Sequence, residues 1–281
     1  GRRERAPVSG ILVAFLASGI AGGFGSMLGI GGGLVIVPTL TIALGHDVKT
    51  ATAASLIAVI GTSLSASPRY IRSGIVDRRL ALSLLVGAAL GGLTGGVTSG
   101  IIDSRVLALA FAVMLAAVAI QMLRQVRHPR PPVPPDPDRG SGFASSYVEP
   151  TSGETVAYQA RRIRPGVAVS FLAGNVSGLL GVGGGIINVP TMNVLMHVPI
   201  RVATTTSTYM LAATAGASAL VRLADGQVDP LLVAPVALGV LIGARLGARL
   251  SSRFSQNALR LGFVVVAGIF AIGMFGQFLA L

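Results

Sequence analysis

Stretches free of Asp, Glu, Lys and Arg run over Gly10–Gly45, Thr50–Pro68, Leu80–Ile102, Val106–Leu123, Pro165–Ile200, Val202–Val221, Pro230–Ala244 and Leu261–Leu281. A helix needs about 20 residues to cross about 30 Å of hydrocarbon, and most of these stretches are near that length. Nearly every charge falls in a connection or at a helix end, as it must where a charge at mid-bilayer costs several kcal/mol. The pattern predicts an all-α polytopic membrane protein. Gly10–Gly45 and Pro165–Ile200 are each 36 residues long, too long for one straight crossing. The middle of each carries Gly-x-Gly-Gly-Gly with a Pro five residues further on. Several Gly at roughly 1 kcal/mol each against Ala, followed by a Pro that suits a first helical turn, break a helix.

The second half of the chain repeats the first at a constant offset of 152. Ala21–Leu40 lies over Ala173–Met192 without a gap, and ten of the 20 pairs are identical, among them Gly29, Gly31, Gly32, Gly33, Pro38 and Thr39 over Gly181, Gly183, Gly184, Gly185, Pro190 and Thr191. The same offset pairs Thr52, Ser55 and Thr62 with Thr204, Ser207 and Thr214, Asp77 with Asp229, and Gly87, Gly91, Gly95 with Gly239, Gly243, Gly247. The organisation expected is a first transmembrane repeat over 8–123, a linker over 124–164 and a second repeat over 165–281. Each repeat opens with a Gly-broken helix or hairpin followed by three transmembrane helices, about 8–10 membrane segments in all. If the broken segment crosses twice the repeats are parallel; if it folds back they are inverted, the form we favour because broken helices facing each other from opposite leaflets recur in secondary transporters. The linker opens with His128-Pro129-Arg130-Pro131-Pro132-Val133-Pro134-Pro135-Asp136-Pro137, and its composition reads as an extended, disordered spacer. A PxxP ligand for a partner is the functional alternative.

Composition sharpens this picture. Of 281 residues 52% are hydrophobic, 11% charged and 38 Gly, and a soluble surface could not be covered from that inventory. The net charge of +12 would suggest a nucleic-acid partner in a soluble protein. Here it is topological: the side bearing the linker collects 15 of the 22 Lys+Arg with four full crossings per half and 16 with a hairpin, which places the linker in the cytoplasm and excludes a nucleic-acid footprint. With no Cys, three His and no carboxylate inside a span, the chain offers no metal set, no acid/base pair for an enzyme and no cation pathway; nothing calls for a cofactor.

The candidate chemistry lies in the backbone. A helix interrupted inside a bilayer frees N–H groups, tolerated only where they are buried in protein or line a wet cavity. At Gly31, Gly32, Gly33 and at Gly183, Gly184, Gly185 the freed amides precede the N-terminus of the next half-helix, where partial positive charge favours an anion. The expectation is a small-oxyanion site formed by both turns, with Thr39, Thr191, Asn188 and Asn175 adding donors; the alternative is that the glycines only allow tight helix crossing. Thr52, Ser55 and Thr62, with their mates Thr204, Ser207 and Thr214, form one helical stripe that either lines the cavity or glues helices together. The Gly-x₃-Gly strips at 87–95 and 239–247 read as close helix contacts, with a homodimer through these faces as a second use. Arg245, aligned with Leu93, either snorkels to the interface or faces the cavity as counter-charge. Lys49 and Arg201 either anchor helix ends or attract anions at two mouths. His46 and Asp47 suggest a proton relay only weakly. The coupling ion, H⁺ or Na⁺, is left open, as is a passive channel of the same architecture.

Two segments reading Gly-x-Gly-Gly-Gly-x₄-Pro-Thr, each followed by a helix opening Ala-Thr-x-x-Ser (Ala51–Ser55 and Ala203–Ser207), resemble the TauE/SafE family of anion permeases. The resemblance covers both halves but not the linker, which is longer than that pattern. It implies a multi-pass protein of a bacterial or archaeal inner membrane that moves sulfite, sulfonates, sulfoacetate or a related organic anion between lipid-embedded repeats. Carried over, it points to Gly31–Gly33 with Thr39 and Gly183–Gly185 with Thr191 as binding elements.

Overall fold

The computed structural model describes residues 8–127, 143–149, 152–251 and 256–280. Helix α1 (Val8–Leu28) is followed by the short α2 (Gly33–Pro38), which runs on into a π-helical turn at Thr39–Ala43, and then by α3 (Val48–Arg72), α4 (Arg78–Ile101) and α5 (Ser104–Arg127). The second half repeats the order: α6 (Ile163–Leu180), α7 (Gly185–Pro190) with a π-helical turn at Thr191–Leu195, then α8 (Ile200–Ala224), α9 (Pro230–Leu250) and α10 (Gln256–Ala280). Seven of these helices are long and apolar enough to cross a membrane. Helix α8 matches α3 at 25 residues, but its face of Thr and Ser is turned into the protein, with Thr204, Thr205, Thr206, Ser207 and Thr208 all buried. The outer faces of α1, α4 and α10 expose Leu12, Leu16, Ile20, Leu82, Val86, Leu90, Ile269 and Ile272. So continuous an apolar belt suits lipid and not water.

The chain folds back at each break. Gly32 sits against Ala21 and Gly22: a Cβ added to it would lie 2.7 Å from the Ala21 carbonyl oxygen, so the four residues after Leu28 have returned alongside α1. Gly29, Gly31 and Gly32, with φ of 73°, 82° and 83°, and Gly181, Gly183 and Gly184, with φ of 70°, 87° and 72°, all occupy the left-handed region. An L side chain at any of these three positions in either turn would be strained, which explains why both turns are written in glycine.

The Gly-x₃-Gly strips settle how the helices cross. Gly239, Gly243 and Gly247 of α9 lie in turn on Phe15 and Gly19, Gly19, and Gly23 of α1, so these two helices run in the same direction. Gly87, Gly91 and Gly95 of α4 lie on Val167, Phe171 and Asn175 of α6, again in parallel. Helix α8 runs against α3, with Ser63 donating to the Thr208 carbonyl at 2.7 Å and Leu56, Val59, Leu211 and Ala215 forming one small core. Corresponding helices of the two halves therefore point in opposite directions, and each half's glycine strip is filled by the first helix of the other. This corrects the homodimer expectation: those faces are spent inside one chain.

The N-termini are built by side chains that recur at the offset. Asp77 caps α4 by accepting from the Leu80 amide at 3.0 Å, and Asp229 caps α9 by accepting from the Leu231 amide at 3.0 Å. Asp47 caps α3 by accepting from the Lys49 amide at 2.9 Å. Such caps hold about 1 kcal/mol each and explain why these acids stand where they do.

The linker differs from its expectation. The Pro-rich run lies outside the described residues, but beyond it β1 (Ala144–Val148) and β2 (Thr155–Gln159) pair antiparallel with Ala144 opposite Gln159 and Val148 opposite Thr155. The spacer is therefore not extended throughout. Tyr147 and Tyr158 supply the reason: both are buried, their rings meet edge to face at 6.4 Å, and they pack with Leu84, Met192 and Val198 on the end of the helical bundle. Two aromatic anchors give a hairpin the third surface it needs to be stable.

Candidate functional site

The two breaks pack against each other at the centre of the bundle. Gly33 faces the Gly181 carbonyl and Val182, while Gly185 faces the Gly29 carbonyl and Ile30. Two serines reach across the halves to hold this arrangement. Ser55 Oγ donates to the Gly181 carbonyl at 2.7 Å, and Ser207 Oγ donates to the Gly29 carbonyl at 2.8 Å. Thr62 Oγ1 donates to the Gly31 carbonyl at 3.0 Å. These hydroxyls satisfy carbonyls that the broken helices leave over, which is a structural duty. Replacing Ser55 or Ser207 by Ala should lower stability by about 1–2 kcal/mol, because it strips a buried carbonyl of its donor. Thermal unfolding of the purified variants in detergent checks this, and an unchanged midpoint would contradict it.

The remaining predicted donors are distributed differently. Thr39 Oγ1 donates to the Val35 carbonyl at 2.7 Å and Thr191 Oγ1 to the Ile187 carbonyl at 2.6 Å, so each turns back onto its own half-helix. Thr52 and Thr204 likewise bond the carbonyls of Lys49 and Arg201 within the first turns of α3 and α8, and Thr214 bonds the Met210 carbonyl. Asn188 Oδ1 accepts from Ser170 at 2.9 Å. Asn175 lies on the α4 side, donating to Thr94, and takes no part in the break. Lys49 donates to the Gly100 carbonyl at 3.1 Å, at the opposite end of the bundle from Arg201. Among the described residues no backbone carbonyl takes the amides of Gly32, Gly33, Gly184 or Gly185.

Open space lies at one end of this arrangement. A cavity of about 810 Å³ is lined by Arg69, Arg72, Arg201, Arg245 and Arg249, with Met27, Tyr70, Ser73, Thr204, Thr205 and Ser251. Of the predicted site residues it brings together Thr204 and Arg245, and Arg201 from the basic pair; none of the six break glycines lines it. The lining nevertheless adjoins the first break, since Gly29 packs directly on the Thr204 backbone. No carboxylate lines the cavity. A concave wall of five guanidiniums focuses positive potential and raises the local concentration of anions.

The end of each broken segment's first helix is held by a side chain from the long helix after it. Tyr70 closes the end of α1 by donating its hydroxyl to the Ser26 carbonyl at 2.9 Å. Its mate at the offset is Arg222, fully buried, whose Nη2 donates to the carbonyls of Gly178 and Leu179 at 3.3 and 3.2 Å at the end of α6, and whose Nη1 donates to Gln227. A guanidinium on the carbonyl end of a helix is favoured by the helix dipole. The sequence carried a trace of this, because Tyr70 and Arg222 fall at the same offset as the breaks; Arg222 was hidden by standing one residue past a charge-free stretch.

The β-hairpin meets the helices at Arg201 and Asp77. Arg201 Nε lies 3.0 Å from Glu149 Oε1. Tyr147 donates its hydroxyl to Glu149 Oε2 at 3.0 Å, and Tyr158 donates to Asp77 Oδ2 at 2.9 Å. Burial, reinforced by the neighbouring Glu149 carboxylate, pushes the Tyr147 phenol up to about 12 from its usual 10. A phenol raised in this way stays a neutral donor through the physiological range, and the docking it supports is lost only as pH climbs past 10.

A bundle with this many lipid-facing helices, two mutually packed helix breaks and a charged vestibule is a multi-pass membrane transporter. The family model described as Sulfite exporter TauE/SafE matches residues 14–274, and the chain belongs to that family. It is similar to the probable membrane transporter protein YunE of Bacillus subtilis, 28% identical over 229 residues that cover 78% of this chain and 81% of the relative. A shorter match is to the Sulfite exporter TauE/SafE family protein 3 of Arabidopsis thaliana, 36% identical over 95 residues, 30% of this chain and 19% of that protein. No solved structure matches.

Proposed function

We propose that the protein is a secondary transporter that moves a small, sulfur-containing oxyanion of the sulfite or sulfonate kind across a prokaryotic inner membrane by alternating access. The observation that carries this reading is the vestibule of five arginines ending on Thr204, beside the first helix break. Anions gathered by the guanidiniums stand one layer from glycine amides that no backbone carbonyl takes, at the N-termini of α2 and α7, where a partial positive charge is fixed. The name shared by the family model and the Arabidopsis relative supports the sulfur chemistry. Helices in opposite directions about a central pair of breaks suit a rocking exchange of the two halves, and Arg222 on the α6 carbonyls is the contact that holds the far end shut. The hairpin side is then the cytoplasmic one, in line with its share of basic residues.

Counterflow in proteoliposomes tests the proposal. Liposomes preloaded with sulfite should take up labelled sulfite faster than empty ones, and Arg245→Gln should slow that exchange about tenfold at low substrate by removing part of the focusing field. Flux that ignores the preload and follows the voltage linearly would instead make the protein a channel.

A further inference from the structure

One of the five arginines that line the vestibule, Arg201, is already paired with a carboxylate that stands outside the cavity lining. Glu149 stands in the turn of the β-hairpin, where its amide donates to the Glu154 carbonyl at 2.9 Å and its carbonyl accepts from the Gly153 amide at 2.8 Å. The hairpin is anchored on the bundle by two buried tyrosines and by the Tyr158–Asp77 hydrogen bond, so Glu149 is delivered to a fixed place. Both carboxylate oxygens are directed: Oε2 accepts from Tyr147 and Oε1 meets Arg201 Nε at 3.0 Å, with the two side chains of the ion pair only 15% and 20% exposed. No other carboxylate reaches the five guanidiniums that line the cavity among the described residues.

We propose that Glu149 is a built-in competitor for the anion-recognition subsite at Arg201, and that this subsite takes the charged head of a carboxylate-sized oxyanion: a sulfite, sulfonate or carboxylate group. This rests on the anion-transport reading of the same vestibule. The chemistry follows from what Glu149 supplies there. Arg201 Nε and the Tyr147 hydroxyl are matched by two oxygens on one atom, and an incoming anion that presents two can replace the carboxylate like for like, whereas a halide presents a single atom. An anion must release Glu149 to dock, so the hairpin sets the weakest affinity that gains entry, and Tyr147 is the positioning residue that keeps the carboxylate in place.

Isothermal titration of the full-length protein in nanodiscs, with sulfite and with chloride as probes, tests this. Glu149→Gln should bind sulfite at least fivefold more tightly than the unaltered protein, while chloride binding changes little. Glu149→Asp, which keeps the charge, should restore the original affinity, and Arg201→Gln should abolish the gain when combined with Glu149→Gln. If Glu149→Gln leaves the sulfite Kd unchanged and only lowers the melting temperature, Glu149 serves to dock the hairpin and the proposal is overturned. The two readings fail separately. Normal exchange with an unchanged Kd removes the competitor alone, and a tighter Kd in a protein that does not exchange sulfite removes the transport reading alone.

Discussion

Replacement of Gly243 by Val is expected to leave almost no folded protein in the membrane. A Cβ at this position would overlap the Gly19 carbonyl oxygen and stand 2.6 Å from its carbonyl carbon. Both are backbone atoms of α1, so no rotamer change relieves the clash, and α1 and α9 must move apart along their whole crossing. The neighbouring contacts of Gly239 on Phe15 and Gly247 on Gly23 would open with it. In a bilayer close packing of this kind carries helix association, because lipid solvates a separated apolar helix as well as protein does. A loss of about 3 kcal/mol or more is expected, at the upper end of overpacking effects. Membrane-fraction yield and size-exclusion behaviour in detergent measure it; a monodisperse variant at normal yield would show that the crossing is looser than described. Gly262, around which no atom lies within 4 Å of an added Cβ, is the control expected to tolerate Ala.

The second large effect separates the two breaks. Gly32→Leu should lose fold and transport together, since its Cβ meets the Ala21 carbonyl oxygen at 2.7 Å and φ is 83°. Gly184 has the same left-handed backbone, φ 72°, but its nearest neighbours are 3.2 Å away at Ala173 and 3.5 Å at Thr214. Gly184→Ala therefore asks the Ala173 carbonyl to give only slightly, and the left-handed conformation adds about 1–2 kcal/mol. It should remain folded with a somewhat lower melting temperature. If the freed amides at the second break receive the anion, the added methyl should reduce sulfite exchange at least about tenfold, the equivalent of 1.4 kcal/mol in the transport barrier. Full exchange in well-folded Gly184→Ala would remove the glycine turns from the substrate path and leave the arginine vestibule alone in that role.

The spans, the repeat and the breaks were legible in the sequence because lipid imposes them residue by residue: an apolar run must be long, and a break must be written in Gly and Pro. What each hydroxyl does was not legible. Ser55 and Ser207 were read as cavity lining or glue, yet each bonds a carbonyl of the opposite half. A backbone acceptor leaves no residue type to recognise. The vestibule escaped for a related reason: Arg69, Arg72 and Arg249 stand at helix ends where topology alone accounts for Arg, and only the convergence of α3, α8 and α9 turns them into one wall. The β-hairpin was masked by its surroundings, since Tyr147 and Tyr158 follow a Pro-rich run whose composition dominated the reading of the whole linker.

The reciprocal bonding of the serines and the exchange of first helices mean that neither half is a finished object. Helix α1 is clasped by α9, α6 by α4, and the carbonyl that ends each broken helix is capped from across the duplication. Gene duplication here produced two co-dependent subunits on one polypeptide, in which each copy acts as the other's assembly chaperone. A chain severed within the Pro-rich run should therefore behave as an obligate heterodimer: each fragment orphaned and degraded when made alone, both rescued when made together.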